Sequence, residues 1–304
     1  MNLDSNSAIG WDTIPTAFLK MAKDIVVPII SKIINLSFEQ GTFPEAFKES
    51  IITPVYKSGN RDDITNYRPI SVFTCISKIM EKIVNRRLQN YLDKYSIISK
   101  SQYGFRKGVS TQDAVGDLTK LIVRQVDKGK KCLAVFLDLK KAFDTVSVPV
   151  LLRRLEGLGF RDKSLSLLTS YLKDRKQSVK IGEFMSDTVT VNYGVPQESV
   201  IGPTLFLTYI NQLYNMELED GQIFTYAEDT AIVFMADTWS SLKETAELGL
   251  KKVANWLNEN LLTLNTSKTI YVCFTKVSST QPKSDFMIKI HKCPTLSLIV
   301  TVLK

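Results

Sequence analysis

Three acidic residues stand where apolar runs meet polar turns. Asp138 follows the run AVFL (134–137), and Glu228 and Asp229 fill the turn inside QIFTYAEDTAIVFM. Apolar strands would carry such carboxylates to the edge of a core, where unpaired charge is costly. Like charges gathered there stay ionised only with a cation among them, and an all-oxygen ligand set suits Mg²⁺ or Mn²⁺. Two such ions about 3.5 to 4 Å apart form a clamp for in-line displacement at phosphorus. Turn carboxylates also cap or solvate the chain, as at Asp220-Gly221, so these residues alone leave both readings open.

The elements that must position them follow from periodicity. Residues 14–40 read as two helices, with Pro15 suited to a first turn and Ile25, Ile29, Ile30, Ile33, Ile34 and Phe38 as an apolar stripe closed by Gly41. ESIITPVYK is strand-like and leads into a polar loop, SGNRDDITNYRP. Helices are expected over 75–95 and 112–127, with QYGFRKGVST in the loop between them. CLAVFLDL reads as a short buried strand, followed by helices over 149–158 and 164–174 and a hairpin in QSVKIGEFMSDTVTVNYG. A helix over 200–218, two strands meeting at the acidic turn, a helix over 239–262 and the strand KTIYVCFT complete the series. With the hairpin set aside, the order is that of a split βαβ, ferredoxin-like unit. The expected fold is α+β, with helices on one face of a mostly antiparallel sheet and the other face open to substrate.

Composition narrows the class. The 304 residues are 44% hydrophobic and 23% charged, which excludes wholesale disorder. The best apolar run, 25–38, is broken by Pro28 and Lys32 and is shorter than the ~18–20 residues of a membrane span. The N-terminus carries no apolar core of a secretory signal. Cys75, Cys132, Cys273 and Cys293 are widely spaced, which suits a reduced intracellular compartment rather than a disulfide framework or zinc site. His291 and Cys293 in HKC are only two ligands, too few for zinc. The net charge is +8, and the 34 residues from Thr74 to Lys107 hold eight basic residues against Glu81 and Asp93. Such a field concentrates polyanions, nucleic acid foremost, although a solvated helix face has the same composition.

The surrounding words are specific. FLDLKKAFDTV (136–146), YGVPQESVIGP (193–203) and TYAEDT (225–230) resemble motifs A, B and C of reverse transcriptases, and most closely those of non-LTR, LINE-like retrotransposons of the jockey and CR1 type. GWDTIPTAFLKMA, ITPVYKSGNRDDITNYRPISV, SQYGFRKGVST and LLTLNTSKT extend the likeness, in order and spacing, over about 265 of the 304 residues. The resemblance implies a right-hand polymerase with fingers and palm over 1–275, the palm mainly 130–145 and 191–275. It leaves 276–304 as a truncated tail without a thumb, in a polyprotein fragment that no endonuclease precedes.

By the same resemblance, the activity is RNA-templated DNA synthesis on an RNA template and DNA primer with dNTPs, without a membrane. Two Mg²⁺ ions, replaceable by Mn²⁺, would be held by Asp138, the Leu139 carbonyl, Glu228 and Asp229. Lys57 and Arg68 match the positions that grip the triphosphate. Phe143 matches the bulky residue that excludes a 2′-hydroxyl, and Gln197 the contact to template–primer. Tyr226 would lie beside the primer end, and Lys268 is the matched general acid for pyrophosphate. The basic 74–107 stretch would hold nucleic-acid backbone. Plain alternatives are a loop lysine, a core phenylalanine, a solvated glutamine and a core-facing strand tyrosine. The particle would be an intracellular ribonucleoprotein of cytoplasm or nucleus.

The chain departs from the family pattern at named places. Glu228 stands for the first aspartate of the Asp-Asp pair, Glu198 for the glycine of PQG, INQL (210–213) for INDL, and SVPV (147–150) lacks the usual Asp-His. Glutamate displaces its oxygens by roughly an ångström, whereas Mg²⁺ demands near-ideal geometry. These changes imply impaired activity, or a catalytically dead nucleic-acid-binding remnant of the same fold.

Overall fold

The structure is a computed structural model, and it describes residues 4, 5, 7–276, 281, 282, 286–290 and 297–300. The HKC pair, His291 and Cys293, lies outside the described residues. The helices are α1 (Thr16–Met21), α2 (Lys23–Gln40), α3 (Cys75–Lys94), α4 (Thr111–Asp127), α5 (Val148–Gly157), α6 (Asp162–Leu172), α7 (Gly202–Tyr214) and α8 (Trp239–Glu259). The strands are β1 (Glu49–Tyr56), β2 (Tyr67–Val72), β3 (Lys131–Leu137), β4 (Arg175–Ile181), β5 (Phe184–Met185), β6 (Val189–Val191), β7 (Gly221–Tyr226), β8 (Asp229–Ala236), β9 (Ile270–Phe274) and β10 (Ser297–Val300). They form two compact units, residues 1–97 with 146–209 and residues 98–145 with 210–304, so the division falls inside α7.

The first unit is built on a sheet of order β2-β1-β4-β5, with β6 also on β4. Tyr67 to Val72, expected to begin as loop, is a strand antiparallel to β1. It tolerates Pro69 because an edge strand can lack a ladder donor. The expected hairpin is present, but β4 also joins β1 in parallel, a long-range pairing with no local signal. Gly41 closes α2 with φ 68°, its N–H donating to the Ser37 carbonyl, the left-handed cap that favours glycine. Of the α2 stripe, Ile30 and Ile34 are buried whereas Ile25 and Ile29 are exposed. Thr74 caps α3 through the Ser77 N–H. α3 buries Met80, Val84, Leu88 and Leu92 and leaves Lys82, Arg86, Arg87 and Lys94 exposed.

The second unit is the split βαβ arrangement. Its sheet has the order β10-β9-β3-β8-β7, and β9, β3, β8 and β7 are mutually antiparallel neighbours. β3 is central because its residues are apolar on both alternating sides: Cys132, Leu133, Ala134 and Val135 have no exposed surface. One face, with Cys132, Ala134 and Val233, packs on Ile122 and Val126 of α4. The opposite face includes Phe234, whose ring lies against Gly249 of α8. α4 therefore covers part of the face that the sequence leaves open, because its own stripe finds apolar partners there. A capping box between Ser110 and Asp113 starts α4, and another between Thr238 and Ser241 starts α8.

Candidate active site

In the second unit the β3–β8 ladder pairs Leu137 with Thr230. One step further along this antiparallel register, Asp138 comes opposite Asp229, the first residue of β8. The Asp229 carboxyl is pushed above the usual carboxylate range, first by burial and then by the negative charge of Asp138. The two carboxylates, 91 positions apart in the chain, are therefore electrostatic neighbours. Such a pair has the oxygen chemistry that suits a divalent cation.

Glu228 lies beside Asp229 in the two-residue turn that follows the Tyr226–Asp229 pair. Its charge acts on the buried hydroxyl of Tyr214, whose pKa is raised first by burial and further by Glu228 and Asp229. Among the described residues, no three His, Cys, Asp or Glu side chains are gathered to hold a metal ion. Of the three carboxylates expected in one pocket, the ladder brings Asp138 and Asp229 opposite each other, and Glu228 is their neighbour in sequence.

The segment LLTLNTSKT wraps Asp138. Asn265 Nδ2 donates to Asp138 Oδ2 at 2.7 Å, and the Asn265 N–H donates to the Asp138 carbonyl at 2.7 Å. The Asp138 N–H donates to Thr269 Oγ1 at 3.3 Å. Buried Leu139 bridges Leu264, which fixes the peptide that follows Asp138. Sequence reasoning missed Asn265; its signal was its place inside LNTSKT, three residues before Lys268. Lys268 itself is exposed in the turn that its N–H closes onto the Asn265 carbonyl. Phe143 is half-buried in the turns after Asp138, and Tyr226 is 37% exposed at the end of β7.

The remaining candidates belong to the first unit. Arg68 pairs with Val55 in the β1–β2 ladder, and the Lys57 N–H donates to the Asn66 carbonyl at 2.9 Å. With a side-chain period of two, Lys57 and Arg68 therefore share one face of the hairpin, and both are exposed. Gln197 is half-buried in the loop before α7, and Glu198 beside it takes φ 62°. Buried Glu81 of α3 holds this loop: its Oε2 accepts from the Val200 N–H at 2.6 Å and its Oε1 from the Tyr171 hydroxyl at 3.1 Å. Burial raises the Glu81 pKa, against the opposing charge of Arg175 and these hydrogen bonds.

The description of one family, reverse transcriptase (RNA-dependent DNA polymerase), matches residues 55–294. The chain belongs to the reverse transcriptase family. The probable RNA-directed DNA polymerase from transposon BS of Drosophila melanogaster is 31% identical over 273 residues, 88% of this chain and 30% of that protein. The RNA-directed DNA polymerase from mobile element jockey of the same fly is 27% identical, over 92% of this chain and 31% of that protein. The chain thus spans 30% to 31% of the length of those two relatives. Apo telomerase from Candida tropicalis superposes with a TM-score of 0.56 at 15% identity, over 82% of this chain and 53% of that one. That likeness shows the fold, the right-hand polymerase architecture implied by the motifs.

Two departures of the chain from the family pattern are visible in the structure. Glu198 adopts a left-handed conformation at the position where the family motif has glycine, so the side chain is carried at a conformational cost. Gln212, in place of the aspartate of INDL, is exposed, while its neighbour Asn211 is buried and accepts the Ser99 N–H at 2.8 Å.

Proposed function

We propose that this chain is the fingers–palm part of the RNA-directed DNA polymerase of a non-LTR retrotransposon, working inside the cell as a ribonucleoprotein. The observation that carries this reading is the opposition of Asp138 and Asp229 at the end of the β3–β8 ladder, in a member of the reverse transcriptase family. In the reaction, a primer 3′-hydroxyl attacks the α-phosphate of a dNTP opposite an RNA template, and pyrophosphate leaves. Two Mg²⁺ ions, or Mn²⁺ in their place, would be held by Asp138, the Leu139 carbonyl, Glu228 and Asp229; they supply charge neutralisation and a lowered hydroxyl pKa.

The chain's own side chains divide the remaining work. Lys57 and Arg68 project from one hairpin face as a cationic pair suited to a triphosphate, Arg68 through paired N–H donors. Phe143 would stack under the sugar and exclude a 2′-hydroxyl. Gln197 and Tyr226 would line the template–primer, and Lys268 Nζ would give a proton to the departing pyrophosphate. The exposed basic residues of α3 would grip nucleic-acid backbone.

Primer extension on poly(rA)/oligo(dT), with Mg²⁺ and then Mn²⁺, tests the proposal. Incorporation that disappears in Asp138→Ala supports it. A second reading, nucleic-acid binding without synthesis, draws on Glu228 and on there being no three-carboxylate group among the described residues. It predicts binding with no incorporation, even after Glu228→Asp and Glu198→Gly are introduced together.

A further inference from the structure

The β7–β8 turn is held from outside the hairpin by the side chains of Gln102 and Tyr214. Gln102 is 1% exposed, and its carboxamide bonds both backbone groups of Ala227. The Ala227 N–H donates to Gln102 Oε1 at 3.0 Å, and Gln102 Nε2 donates to the Ala227 carbonyl at 3.2 Å. The Tyr214 hydroxyl donates to the same carbonyl at 2.9 Å, and the Gly104 N–H donates to the same Oε1 at 2.6 Å.

The arrangement continues a β-ladder. β7 is an edge strand, and the segment Ser101–Tyr103 runs parallel to it at Thr225: the Thr225 N–H donates to the Ser101 carbonyl and the Tyr103 N–H to the Thr225 carbonyl, both at 2.9 Å. Two residues on, Ala227 presents its N–H and carbonyl towards the same segment, and no backbone partner follows. The Gln102 carboxamide takes the place of the next peptide group. Ala227 needs such a hold, because it is a non-glycine residue at φ 58°. Gly104 admits the close approach: a Cβ there would stand 2.2 Å from the Ala227 nitrogen. Arg106 locks the loop in turn by donating to the carbonyls of Ser99 and Gln102 at 3.0 and 3.1 Å.

We propose that Gln102 is a positioning residue for the acidic turn, setting Glu228 and Asp229 through the Ala227 peptide that precedes them. Only a carboxamide of this length supplies adjacent donor and acceptor; glutamate lacks the donor when ionised, and asparagine is one methylene short. The proposal rests on the polymerase reading for its kinetic consequence alone.

Amide hydrogen exchange judges the clamp without nucleotide or metal. In the wild-type chain the Ala227 amide should exchange as slowly as the ladder amides of β8; exchange at the rate of an open turn would overturn the proposal. In Gln102→Met, near-isosteric but unable to make these bonds, Ala227 exchange should rise at least about tenfold while circular dichroism is unchanged. The kinetic arm is read in the wild-type chain, or in a Glu228→Asp background if Glu228 silences it. There Gln102→Met should lower kcat on the order of 100-fold, as a misplacement of ~1 Å does, with KM for dNTP and template–primer affinity little changed. Wild-type kcat, or an equal loss in template–primer affinity, would overturn the positioning role. Absence of incorporation in both backgrounds would instead sink the polymerase reading, and the exchange comparison would still decide the clamp.

Discussion

Asn265 holds Asp138 twice, once by its side chain on the carboxylate and once by its backbone N–H on the carbonyl, both at 2.7 Å. The pair lies 127 residues apart in the chain. A carboxylate that must meet a cation needs a fixed rotamer, and Asn265 donates to one oxygen while leaving the other free to bind. Replacing Asn265 by leucine removes a hydrogen bond to a charged group, worth about 1.5–3 kcal/mol. Read as transition-state stabilisation, that is a fall in kcat of roughly 10- to 100-fold. Steady-state primer extension should show the loss in kcat rather than in KM for dNTP; the opposite split would assign Asn265 to substrate binding.

Glu81 makes stability depend on pH. Burial raises its folded pKa above the ordinary 4.5, so the folded chain keeps a proton that the unfolded chain releases. The resulting stability is full below about pH 4.5 and is lost as pH rises through the folded pKa. Arg175 and Tyr171, the charged and titratable groups that act on Glu81, reduce this loss without reversing its sign. Urea midpoints measured across this range should fall with pH in the wild type and less steeply in Glu81→Gln. Parallel curves would show that Glu81 titrates alike in both states.

Glu198→Gly should stabilise the chain. An L-residue at φ 62° carries a cost of about 1–2 kcal/mol, partly offset by glycine's greater freedom in the unfolded chain. The expected gain is about 1 kcal/mol in chemical denaturation at constant m-value. No gain would mean that the Glu198 side chain makes compensating contacts.

Arg86 projects into solvent from α3, one turn beyond Lys82. If α3 grips duplex backbone, Arg86→Gln should weaken binding alike for all sequences and reduce the slope of log K against log salt by about 0.9. An unchanged slope would return Arg86 to the status of a solvated helix face.

Much of this protein could be read from residue order. The period of 3.6 in 75–95 and 112–127, and the apolar run before Asp138, located α3, α4 and β3 to within a few residues, because a helix stripe or buried strand is a local pattern. The replacement of the motif glycine by Glu198 was visible in the sequence, whereas the left-handed backbone there was not. Other features had no such trace. The strand at Tyr67–Val72 hid in a polar, proline-bearing stretch, and its pairing is supplied by β1. The parallel β1–β4 contact, α4 on the second sheet face, Asn265 on Asp138 and Gln102 on Ala227 join residues far apart in the chain. Their hydrogen bonds and contacts depend on where the folded backbone brings a donor to an acceptor. A single linear sequence specifies which carboxylates and carboxamides are available; tertiary packing selects which of them meet.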